Sequence, residues 1–97
     1  MLSGLTRGQT EANLSGQNLQ PADAILIRSD LQFMAVLTIL ELQINSIGDD
    51  GAEAIAEALK VNPVLTKLNL RWINMGEAGE KAVRDAVKDR SGFVLEL

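Results

Sequence analysis

The sequence predicts an α/β repeat domain, a short stack with parallel strands along one side and helices along the other. Three observations carry this. First, the chain repeats itself at a period of 28: aligning 37–64 with 65–92 gives nine identities, Leu37, Thr38, Leu40, Leu42, Gly48, Gly51, Ala54, Ala58 and Lys60, each with its mate 28 later. Chance at average usage gives about two. Second, each period opens on an alternating apolar pair, Leu40/Leu42 and Leu68/Leu70, the mark of a short strand with one buried face. Third, each period ends on an amphipathic helix pattern: Ala52, Ile55, Ala56 and Leu59 recur at i, i+3, i+4 and i+7. A fixed period of this length means supersecondary units that bury their apolar faces only by stacking.

Taken in order, the chain divides into a cap (1–8), three strand–turn–helix units (9–36, 37–64 and 65–92) and a closing strand (93–97), all within one domain, 1–97. In the first unit, Ala12, Leu14 and Leu19 precede Leu40, Leu42 and Ile47 by 28, and Pro21-Ala22-Asp23 starts the helix; proline suits a first helical turn. In the second, a glycine-containing turn is expected over Ile47–Gly51 and a helix from Ala52 to about Val61, stopped by Pro63. Asp49 and Asp50 fall at that helix start, where the dipole favours negative charge. In the third, Ala82, Val83, Ala86 and Val87 form the helix face and Ser91-Gly92 the exit. Phe93 to Leu97 begins a fourth strand with no helix behind it. Strands pack about 4.8 Å apart and helices about 10 Å, so the stack is expected to curve with its strands on the concave side.

Composition narrows the function classes. Nine basic residues stand against thirteen acidic ones, a net charge of −4, which weighs against nucleic acid, because phosphates need neutralising. Cysteine and histidine are absent, so there is no disulfide, no thiolate zinc site and none of the commonest general base and metal ligand. The opening MLSGLTRGQT lacks the charged and apolar regions of a signal peptide, and the longest apolar stretch, Phe33 to Leu40, is too short to span a bilayer. The expectation is an intracellular chain, soluble or peripheral to a larger complex, without membrane insertion. For chemistry, Gly48-x-x-Gly51 has no lysine at phosphate-loop spacing, Asp49-Asp50 lack the alternating ligands of a calcium loop, and no nucleophile has a base beside it. No metal, cofactor or catalytic residue is predicted.

The string Leu37-x-x-Leu40-x-Leu42-x-x-Asn45-x-Ile47-Gly48, followed by GDDGAEAIAEALKVNPVL, resembles a leucine-rich repeat of the ribonuclease-inhibitor-like subfamily. That subfamily includes the leucine-rich regions of NOD-like receptors and of Ran GTPase-activating proteins. The resemblance covers 9–97 and implies a short solenoid of about three 28-residue units, strands concave and helices convex. It also implies that Asn45 is a buried ladder residue whose amide bonds to turn backbone. The two equivalent positions hold Gln17 and Ile73. Ile73 cannot make such bonds, which puts the turn of the third unit in question.

The resemblance further implies that a protein partner lies on the concave face. Residues between the leucines are expected to point out of it: Glu41, Gln43 and Ile44 from the second unit, Lys67, Asn69, Arg71 and Trp72 from the third. Trp72 beside Arg71, with Ile44 one repeat earlier, is the leading candidate, because Trp and Arg are enriched among interface hot spots. The competing reading has Trp72 folded over the gap that Ile73 leaves in the ladder. Ile39 and Val94 flank Lys67 as a second apolar strip or as simple strand formers. The helix charges Glu53, Glu57, Lys81, Arg84, Asp85 and Lys88 read as a wet outer face. The predicted function is thus non-catalytic protein binding, as an adaptor or as a small structural subunit of a multi-subunit complex. The alternative is an enzyme-regulating role such as GTPase activation, which a nucleotide-hydrolysis assay with added small GTPases separates from passive binding. The apolar C-terminal edge, 93–97, is expected to be covered by a partner subunit or by a second copy of the chain.

Overall fold

A computed structural model describes residues 8–97. The predicted cap, 1–8, lies outside the described residues apart from Gly8. Strands and helices alternate: β1 (Glu11–Asn13), α1 (Pro21–Leu31), β2 (Ile39–Glu41), α2 (Gly48–Val61), β3 (Lys67–Asn69), α3 (Glu77–Val87) and β4 (Val94–Glu96). The four strands form one parallel sheet in the order β1-β2-β3-β4. The register follows the sequence period. Ala12 lies opposite Leu40 and Leu40 opposite Leu68, 28 residues apart, while Leu68 meets Leu95 at 27.

One face of the sheet packs against the helices. Ala12, Leu40 and Leu68 from the strands join Ala24, Ile27, Ile55, Leu59 and Val83 from the helices in one buried cluster. Each strand is only three residues long, too short to stand alone, so the sheet depends on that cluster. A threonine row fastens the strand starts. Thr38 Oγ1 donates to Thr10 O at 3.1 Å, and Thr66 Oγ1 to Thr38 O at 3.2 Å.

α2 begins at Gly48, four residues before the predicted Ala52. The Asp49-Asp50-Gly51 segment is therefore first-turn helix rather than loop. Its acids do more than face their own dipole: Asp49 Oδ1 accepts the backbone N–H of Gly76 at 2.7 Å and of Gly79 at 2.9 Å. Gly76 is the N-cap of α3 and has no side chain to cap with. Asp49 thus supplies from the preceding unit the acceptor that an N-cap Ser or Asp normally provides.

Gly51 is helical and has a different purpose from the predicted turn. A Cβ built there would overlap Ile47 Cγ2 and reach 3.1 Å from Ala24 Cβ. Its bare backbone lets α2 close on α1. Alanine for glycine inside a helix normally gains about 1 kcal/mol. Here overpacking is expected to win, and Gly51→Ala should destabilise by about 1–3 kcal/mol in urea denaturation; a stabilised variant would mean that the helices separate at no cost.

The helix exits are tied across units by two side chains the sequence did not single out. Asn62 is buried. Its Nδ2 donates to Leu31 O at 3.0 Å, and its Oδ1 accepts Val64 N–H at 2.9 Å and Leu65 N–H at 3.1 Å. Twenty-eight residues later, Arg90 Nη1 donates to Leu59 O at 2.8 Å, and Nη2 donates to Leu65 O. The Arg90 guanidinium also lies 4.9 Å from the Phe93 ring centre. Partial burial lowers its pKa from the ordinary value. Both side chains therefore donate to a carbonyl in the last turn of the preceding helix, where no N–H further along the helix is available to it.

Candidate functional site

The open face of the sheet is a grid whose rows run across the strands. Glu11, Ile39, Lys67 and Val94 form the first row, and Asn13, Glu41, Asn69 and Glu96 the second. Ser15, Gln43 and Arg71 follow by the 28-residue spacing, and then Gly16, Ile44 and Trp72. Backbone bonds hold the later rows in step: Gly16 N–H donates to Gln43 O at 3.1 Å, and Ile44 N–H to Arg71 O at 2.9 Å.

The last row carries the most unusual geometry. Gly16, Ile44 and Trp72 have φ of +65°, +61° and +61°. This left-handed conformation is free for glycine, costs other residues about 1–2 kcal/mol and makes a β-branched residue an outlier. In the first unit the position is glycine. In the next two it carries large apolar side chains, and both are exposed, Ile44 at 60% and Trp72 at 79%. Trp72 does not fold over the ladder, which removes the competing reading of the sequence. Ile73 is itself buried and fills that place with its own side chain. The left-handed residue at 72 is kept despite Ile73, so the third turn bends as the second does at 44.

Beneath this row lies Asn45, 5% exposed. Its Oδ1 accepts Gln17 N–H at 3.1 Å and Leu19 N–H at 2.9 Å. Its Nδ2 donates to Leu14 O at 3.0 Å, Leu42 O at 2.9 Å and Gln43 O at 3.3 Å. One amide thereby stitches the first turn to the second. Ile73 offers no such acceptor, so Ile47 N–H lacks the side-chain partner that Leu19 N–H finds in Asn45.

The other predicted contact residues are placed unequally. Arg71 is exposed, and Glu41, Gln43 and Lys67 are half-buried on the open face. Lys67 Nζ lies 3.7 Å from Glu96 Oε1. Asn69 departs from the expectation: it is 7% exposed and its Oδ1 accepts Arg71 N–H at 3.0 Å. A side chain that closes its own turn at an inner strand has little surface for a partner. The bond fixes the backbone of the turn at Arg71. Beyond Trp72 the sheet ends at β4, where Leu97 shares with Arg71 and Trp72 a hollow of about 350 Å³.

Among the described residues no group of three Asp, Glu, His or Cys side chains is arranged to hold a metal ion. No helix among them is long and apolar enough to cross a membrane.

A leucine-rich repeat family model matches residues 34–56, from Met34 through β2 into α2. The match spans Asn45 and Ile44. Leucine-rich repeats generally mediate protein–protein interaction. No curated protein matches the chain.

Proposed function

We propose that this chain is a non-catalytic protein-binding module that holds a protein partner against the open face of its sheet. The reading takes it as a short leucine-rich-repeat solenoid of three 28-residue units, 9–36, 37–64 and 65–92, closed by 93–97. One observation carries it. Ile44 and Trp72 stand exposed, side by side, in a backbone conformation that glycine adopts freely at the equivalent Gly16. Strain held at a surface position is a sign of function, because folding alone favours removing it. Arg71, which precedes Trp72 and is exposed, completes the residue pair typical of binding hot spots.

In this reading Glu41, Gln43 and Lys67 form the polar surround of the Ile44–Trp72 anchor. The chain acts as an adaptor or as a small structural subunit of a larger intracellular assembly, and β4 is the edge that a partner subunit or a second copy covers.

The test is comparative capture. Immobilised wild type and Trp72→Ala are exposed to the same native extract, the protein retained by wild type is identified by mass spectrometry, and its affinity is then measured for both. Trp72→Ala should weaken it by about 2 kcal/mol or more, roughly 30-fold in Kd. A partner held equally by both forms would move the site elsewhere.

A further inference from the structure

The first two rows of the open face have a charge pattern of their own. Glu11 lies directly across from Ile39, and Glu41 sits two residues further along Ile39's strand. A strand spacing of about 4.8 Å and two rises of about 3.3 Å put the Cα atoms of the two glutamates about 8 Å apart. Glu11, Asn13, Ile39, Glu41 and Lys67 line a hollow of about 490 Å³. Lys67 is the near cation, but it turns towards Glu96. The ion pairs among the described residues are Arg28–Glu57, Lys67–Glu96 and Arg84–Glu80, so Glu11 and Glu41 take part in none.

Gln43 lies one row on, outside that lining. Two unpaired carboxylates beside the aliphatic Ile39 call for a cation on an aliphatic stem. Lysine and arginine have that form, with a chain that lies on apolar surface and a head that stays polar. Nucleic acid has the wrong sign for these carboxylates.

We infer, resting on the reading of the sheet face as the partner site, that the partner presents an extended basic segment to this hollow. One lysine or arginine lays its stem on Ile39 and sets its cationic head between Glu11 and Glu41. An extended segment fits because the rows it crosses are spaced by strand pairing. Trp72, further along the same face, then anchors the segment's apolar part.

A fluorescein-labelled nona-arginine peptide is the probe, with nona-glutamine as the uncharged control, read by fluorescence anisotropy at low salt. Glu11→Gln/Glu41→Gln is compared with Glu53→Gln/Glu77→Gln, which removes the same charge from exposed helix positions. The first pair should weaken nona-arginine binding roughly tenfold and the second at most about twofold, both effects shrinking as salt is added. Glu11→Gln alone, at an exposed position, should give an intermediate loss and guards against misfolding of the double variant. Equal losses in the two double variants, or equal binding of nona-glutamine, would overturn the inference. The same variants are then measured against the partner identified by capture. Loss with Trp72→Ala but none with Glu11→Gln/Glu41→Gln refutes the basic segment and leaves the sheet-face reading standing. Loss with neither refutes both.

Discussion

Asn45→Ala is expected to be the most destabilising single substitution outside the apolar core, at about 3 kcal/mol. The amide makes five hydrogen bonds from a position that is 5% exposed. Removing it strands Leu19 N–H in partly buried surroundings and Leu42 O in fully buried ones. Each buried group left unpaired costs about 1–3 kcal/mol, whereas a typical bond contributes only about 1. The orphaned groups, not the lost bonds, therefore set the size. At a urea m-value of about 1–3 kcal/mol/M, the midpoint should fall by about 1–3 M. Asn45→Asp tests the same site from the other side. It keeps an acceptor for the two N–H groups but sets a charge against three carbonyls, and it should cost at least as much. A loss below about 1 kcal/mol for Asn45→Ala would mean that water replaces the amide and that the stitch between the first two turns is dispensable.

Ile44→Gly/Trp72→Gly is expected to weaken partner binding more than about a hundredfold while leaving the fold nearly as stable. Each substitution relieves about 1–2 kcal/mol of left-handed strain. Against this, glycine loses about 0.5–1 kcal/mol more backbone entropy, and a modest buried area is given up, smaller for Trp72 than for Ile44. These terms nearly cancel, so stability should change by about 1 kcal/mol or less per site. The interface loses both apolar anchors, each of hot-spot size at about 2 kcal/mol. Core substitutions do the reverse, lowering stability and binding together.

The period made the strands and their order legible, because stacking in register forces equivalent residues opposite one another: Ala12, Leu40 and Leu68 are both sequence mates and Cα partners. Asn45 was legible through the family resemblance, which implies a buried amide bonded to turn backbone at that position. The start of α2 was misplaced because glycine reads as a turn signal, while Gly51 is needed for its lack of a side chain against Ile47 and Ala24. Asn69 was assigned to the surface by alternation alone. Its short amide instead folds back to Arg71 N–H, a local bond that alternation does not encode. The Asn62 and Arg90 ties went unseen because identity matching compares letters. One position serves the same carbonyl with a short amide in one unit and a long guanidinium in the next. The left-handed row had one sequence signal, Gly16 standing 28 residues before Ile44, and nothing in an isoleucine or a tryptophan announces a positive φ.

The most direct test of the account is a paired measurement on Ile44→Gly/Trp72→Gly: calorimetric titration with the captured partner, and thermal unfolding of the same preparation. The affinity is expected to fall by about 3 kcal/mol or more, over a hundredfold, while the melting temperature moves by less than about 10 °C. Unchanged affinity, or an affinity loss that appears only alongside collapse of the fold, would contradict it.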